Sequence, residues 1–286
     1  MSSYPAPVDK LLTYGEADAA DASGWPDYLE LGLKPEHIPD LLRMLTDKEL
    51  MAVEDQEEPE FWAPIHAMRA LGQLRDLSAL QPLLDLSAQL VSYDEGLGEW
   101  AGEELPDVYT LIGPAGIPAL TAYLADESHE EFSRGAVTEA LAKIGNTYPE
   151  ARTDCVAVLT HQLEVAGDEQ YDANAFIIDS LIELKAVESA PVIEQAFAEN
   201  KVEESFSGDW DDVQVALGLK ERSEVPQKRY SHFDSLGQPS RLQPASAPLA
   251  PVEKYLPRPS TSNVLDKKKA KQKMAKASRK KNRKKR

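Results

Sequence analysis

Residues 113–145 read GPAGIPALTAYLADESHEEFSRGAVTEALAKIG, and this stretch decides the fold. Pro114 to Pro118 opens a helix whose Ile117, Leu120 and Leu124 recur on one face, and Asp126-Glu127-Ser128 ends it. The next segment carries Phe132, Ala136, Val137, Ala140, Leu141 and Ile144, spaced four, one, three, one and three. That spacing predicts a helix whose apolar stripe is wide enough to meet both its own partner and a neighbouring helix pair.

The same pattern extends in both directions. Toward the N-terminus, Pro35-Glu36-His37 precedes Ile38, Leu41, Leu42 and Leu45 on one helical face. A second helix is expected from Glu60 to Leu74, with Ile65, Met68, Leu71 and Leu74 in line. Asp76 or Ser78 suits the cap of the next, whose apolar side is Leu80, Leu83, Leu84 and Leu86. Toward the C-terminus, helices are expected near Ala151 to Val165 and Ala173 to Leu184, and a last pair from Ser189-Ala190-Pro191 to Leu219.

Several of these helices share an ending. Ala70-Leu71-Gly72-Gln73-Leu74, Ala140-Leu141-Ala142-Lys143-Ile144 and Ser180-Leu181-Ile182-Glu183-Leu184 each read small-Leu-x-x-aliphatic, and Tyr109 to Ile112 is a looser copy. Positions 71, 109, 141 and 181 are 38, 32 and 40 residues apart. Pro82, Pro118 and Pro191 fall early in the helices that follow, where a missing N–H costs no intrahelical bond. An irregular repeat of two helices describes a solenoid. The expected fold class is all-α, an α-solenoid of about four to five HEAT-like helix pairs with a disordered C-terminal tail.

The segment Gly113 to Leu120 through Arg134, followed by Ala140-Leu141-Ala142-Lys143-Ile144-Gly145, resembles a HEAT-like repeat of the phycobilisome-lyase type. The resemblance is closest over residues 113–145 and extends to 61–86 and 173–198. It implies stacked helix pairs and, as an activity, a bilin lyase or lyase subunit. Separately, Gly208-Asp209-Trp210-Asp211-Asp212-Val213-Gln214 with Leu217-Gly218-Leu219 is similar to the end of an uncharacterised bacterial family of such repeats. Some members of that family end in a Cys-rich metal-binding motif. Cys155 is the only cysteine here, so that site does not carry over.

Four regions follow. Residues 1–34 hold Pro5, Pro7, Gly15, Gly24 and Pro26 with little periodicity and read as an N-terminal arm. Residues 35–220 form the solenoid, 221–266 a Pro/Ser-rich linker, and 267–286 a basic low-complexity tail. The tail holds 13 of the 31 Lys and Arg residues and none of the 49 Asp and Glu residues. The other 18 cations face all 49 acids, so residues 1–266 carry −31 while the whole chain carries −18. An acidic body repels nucleic acid, and the tail attracts it.

No apolar run reaches the roughly 18 residues of a membrane helix. The start Met1-Ser2-Ser3-Tyr4-Pro5 has neither a basic nor an apolar signal region, and one cysteine precludes an internal disulfide. A cytoplasmic protein is expected.

The strongest functional signal is the tail: Lys267, Lys268, Lys269, Lys271, Lys273, Lys276, Arg279, Lys280, Lys281, Arg283, Lys284, Lys285 and Arg286. On meeting phosphate they would release counterions, giving salt-dependent, sequence-independent binding to RNA or another polyanion, at the ribosome for example. A solvated tail that pairs with its own acidic body, or that meets anionic lipid, accounts for the same residues. Asp209-Trp210-Asp211-Asp212 invites a metal or peptide-binding reading but lacks the glycine and distal glutamate of an EF-hand loop, so a helix start with a packed tryptophan is favoured. His161 and Glu164 have helical metal spacing without a third ligand, and Cys155 beside Val156 reads as a small core residue. No phosphate loop or nucleophile motif occurs in the context it requires, so no catalytic residue, cofactor or metal is expected. The remaining surface is the row of second helices, with acidic Glu130, Glu131 and Glu139. The expected function is a non-enzymatic interaction scaffold, its acidic solenoid holding a protein partner and its tail a polyanion. The alternative is the bilin lyase that the resemblance alone implies.

Overall fold

Proline marks where the helices begin. Pro39, Pro64, Pro118 and Pro191 each sit in the first two positions of a helix, and Pro82 is the third residue of its own. The computed structural model describes residues 3–16, 21–91, 97–167 and 170–225, and no strand occurs among them. The helices are α1 (Ile38–Leu45), α2 (Lys48–Met51), α3 (Ala63–Leu74), α4 (Leu80–Val91), α5 (Leu97–Ile112) and α6 (Ile117–Ala125). They continue with α7 (Glu131–Thr147), α8 (Arg152–Val165), α9 (Tyr171–Glu183), α10 (Ala190–Ala198), α11 (Glu204–Ser207) and α12 (Trp210–Ala216). Single turns of 3-10 helix lead into α1, α3, α4, α6, α8 and α10. Glu60 to Trp62, expected as the start of α3, belong to one of these turns, Pro59–Trp62.

The helices stack in two rows. In one, α1, α3, α5, α7, α9 and α11 each pack on the next; in the other, α4, α6, α8, α10 and α12 do so. Contacts of α4 with α5, α6 with α7 and α8 with α9 join the rows. The architecture is therefore an α-solenoid of helix pairs. Its core follows the repeat: Leu71, Tyr109, Leu141 and Leu181 are all buried. Gly72 explains one close approach, because a Cβ there would stand 3.1 Å from the Cα of Val108 on α5.

Two expectations about the core need correction. Phe132, placed in the apolar stripe of α7, is 64% exposed. Within residues 1–34, expected as an N-terminal arm, Tyr4, Val8, Leu11, Trp25, Tyr28 and Leu33 are buried and belong to the same core. Val8 and Leu11 sit in a short 3-10 turn and the other four in the irregular backbone around such turns, which has no amphipathic period to read. The expected linker beyond residue 225 and the basic tail lie outside the described residues.

Candidate interaction surface

In an α-helix, residues two before and two after a buried anchor point away from it. On α3, α5, α7 and α9 the positions two before the anchors are Arg69, Asp107, Glu139 and Asp179, and those two after are Gln73, Leu111, Lys143 and Glu183. The row thus presents one face running from α3 to α9, and α11 packs on α9 at its end.

At α3 this face is covered by the N-terminal residues. The backbone N–H of Tyr28 donates to Gln73 Oε1 at 2.9 Å, and Gln73 Nε2 donates to the Pro26 carbonyl at 2.8 Å. His66 Nδ1 meets the Tyr28 hydroxyl at 2.6 Å, while Nε2 meets the Gly15 carbonyl at 2.9 Å. A carbonyl only accepts, so Nε2 carries the proton and Tyr28 donates to Nδ1. Burial pushes His66 down to about 4, consistent with a neutral ring. Beside it, Arg69 forms a two-pronged pair with Glu104 of α5 at 2.7 and 2.5 Å, under the ring of Trp25. Burial pushes the Glu104 carboxyl up, against the pull of the guanidinium.

Over α5, α7 and α9 the face turns acidic. Lys143 Nζ donates to Asp107 Oδ1 at 2.8 Å and lies 3.0 Å from Glu139 Oε1. Burial alone would lower this ammonium, but Glu139 and Asp107 hold it above its ordinary value. Glu183, which accepts from Asn146 Nδ2 at 3.3 Å, is pushed up by partial desolvation and by Glu139. Asp107 and Glu139 therefore hold one cation between them, and Glu183 lies within its electrostatic reach. Glu130 precedes α7 and Glu131 begins it, so of the three expected acids only Glu139 joins this group.

The other part of the face is aromatic. Phe132 of α7, Phe176 of α9 and Phe206 of α11 form a seam with ring centroids 6.2 and 5.2 Å apart. Gly135 makes room for it, since a Cβ there would stand 3.0 Å from the Phe176 ring. The sequence does not reveal this seam. Phe132 lies nine residues before its anchor Leu141 and Phe176 five before Leu181, so the rings do not recur at one repeat position.

Residues 31–236 match the model of the family described as Protein of unknown function (DUF1186). The chain belongs to this DUF1186 family. No curated protein and no solved structure matches it. The DUF1186 match takes in α1 to α12 but neither the residues that cover α3 nor the tail. The thirteen tail cations, Lys267 to Arg286, lie outside the described residues.

Other positions singled out in this DUF1186 sequence have structural partners. Asp209 caps α12 by accepting from the Asp212 N–H at 2.9 Å, and Asp211 pairs with Lys220 at 2.7 Å. Gly208 has φ +79°, and a Cβ there would stand 2.8 Å from Asp212 Cβ, so glycine is required. Trp210 packs beside Phe197 in an open cleft of about 440 Å³ that Glu194 and Glu204 also line. Cys155 is buried, and burial pushes its thiol up to about 11. His161 lies 3.9 Å from Glu164, and no set of three or more metal-ligating side chains occurs among the described residues. No single helix among those residues is long and apolar enough to cross a membrane.

Proposed function

We propose that this chain is a non-enzymatic interaction scaffold. The acidic face over α5, α7 and α9 binds a basic segment of a protein partner, and the tail of residues 267–286 contacts RNA or another polyanion. The observation that carries the reading is the grouping of three carboxylates, Asp107, Glu139 and Glu183, with one ammonium, Lys143, the Glu183 carboxyl being raised by burial and by Glu139. A partner's ammonium or guanidinium would relieve that deficit, and charge complementarity would speed the encounter. The resemblance of residues 113–145 to HEAT-like repeats supports the same reading, because repeat solenoids bind along extended faces.

The test has two arms. RNA binding by the full chain is expected to weaken by about 0.7 log units per phosphate contact for each tenfold rise in salt, and to disappear when residues 267–286 are removed. Binding that survives that deletion overturns the role of the tail. A fluorescent lysine-rich peptide is expected to bind the full chain and to weaken when Glu139 and Glu183 are replaced by Lys; an unchanged affinity overturns the role of the face. A visible absorption band gained on mixing with a bilin would replace the scaffold with the lyase implied by the repeat resemblance.

A further inference from the structure

The seam of Phe132, Phe176 and Phe206 is the part of the face that charge alone does not explain. Phe132 is 64% exposed and Phe206 45%, and the two stand on either side of the half-buried Phe176. Contiguous exposed aromatic surface on a soluble fold marks a place where something docks. We infer that this seam seats a linear segment of a partner protein in which aromatic or aliphatic side chains alternate with Lys or Arg. The inference rests on the acidic face proposed above and names what binds beside it.

The chain supplies the precedent for such docking. On the same face at α3, Tyr14 and the stretch from Pro26 to Tyr28 are held by aromatic rings and by backbone pairing to one amide side chain. Tyr14 and Tyr28 stack at 5.7 Å, Tyr14 meets the His66 ring at 5.2 Å, and Gln73 pairs with both Tyr28 N–H and Pro26 carbonyl. The seam continues this face without a break in the helix row, since α3, α5, α7, α9 and α11 pack in sequence. Glu139 and Glu183 lie on α7 and α9 with two of the three rings, each seven residues and about two turns along its helix from Phe132 and Phe176. A segment bringing only apolar groups would bury phenylalanine and leave those carboxylates facing it. One bringing only cations would leave the rings in water. Alternation satisfies both, because successive side chains of an extended segment point in opposite directions.

The test uses the full chain and two fluorescent peptides, one alternating lysine with leucine and one alternating lysine with serine. The lysine–leucine peptide is expected to bind more tightly. The double substitution Phe132→Ser with Phe206→Ser should weaken it about tenfold or more, while leaving the lysine–serine peptide unaffected. Neither phenylalanine belongs to the buried core, so the variant should fold. As a second readout, fluorophenylalanine incorporated in the unaltered chain should shift at positions 132 and 206 when the lysine–leucine peptide is added. If that peptide binds, responds to Glu139→Lys with Glu183→Lys, yet ignores the phenylalanine substitutions and leaves the fluorine signals in place, the seam is not the seat and the acidic face stands. If neither peptide binds, the acidic face fails and the seam with it.

Discussion

Trp62 and Phe132 hold the same place in the repeat, nine residues before Leu71 and Leu141, yet one is 1% exposed and the other 64%. Trp62 packs edge-on against Phe61 at 5.1 Å and Trp100 at 5.2 Å, and its Nε1 donates to the Gln56 carbonyl at 2.9 Å. The 3-10 turn at residues 8–13 packs on the turn that carries it. Phe132 has only Phe176 for a ring partner among the described residues. Both residues belong to one helix row, but the N-terminal residues cover the near end of it and not the far end. A repeat position therefore specifies direction, whereas burial depends on what a non-repeating segment lays over it.

The largest losses are expected at the covered end. Glu104→Ala would leave the Arg69 guanidinium buried without its carboxylate, and denaturant unfolding should show a loss of about 3–5 kcal/mol. A loss below about 1 kcal/mol would mean that water reaches Arg69 and that the cover is loose. Trp62→Ala is expected to cost about 3–5 kcal/mol by the same measurement, from lost burial and the cavity left behind. Leu141→Ala, which removes a fully buried anchor of α7, should cost about 2–5 kcal/mol. A melt equal to that of the unaltered chain would deny the anchor its role.

A smaller effect should follow pH. The folded value of His66 lies near 4, below its ordinary 6.5, so the unfolded chain binds more protons between those values. Stability contributed by the neutral ring is complete above about 6.5 and is lost as pH falls toward 4, by up to about 3 kcal/mol. Many carboxylates titrate nearby, so the informative quantity is the unaltered chain minus His66→Gln, which should fall with acid over that window. A flat difference would show that His66 does not hold the cover through a neutral ring. The smallest effect is expected at the open end: Phe132→Ala should change stability by no more than about 0.5 kcal/mol. A loss comparable to that of Trp62→Ala would show that the two ends are covered alike.

The sequence made the helix row legible at specific residues. The spacing of Phe132, Ala136, Val137, Ala140, Leu141 and Ile144 and the early prolines at 82, 118 and 191 placed α7, α4, α6 and α10 within a few residues of their observed bounds. The same pattern set Phe132 among the buried residues, because periodicity reports which side of the helix a residue occupies and not what covers that side. The acidic face was half legible. Glu139 was named, while Asp107, Lys143 and Glu183, which it joins, come from three helices up to 76 residues apart in sequence. The pairing of Arg69 with Glu104 carried no signal either, since each is an ordinary charged residue until the packing of α3 on α5 removes water from both.

Local physics let the sequence alone determine the helices, their pairing into a repeat and the separation of an acidic body from a basic tail. Helical periodicity, proline starts and charge composition are properties of neighbouring residues, and they survive reading one residue at a time. Only the tertiary structure decided which part of the face is closed and which is open. The closing contacts join Tyr28 to His66 and Gly15 to His66 across 38 and 51 residues, from turns that have no period. Such contacts exist only after the chain has folded back on itself, so the covered histidine and the open phenylalanine seam are consequences of packing.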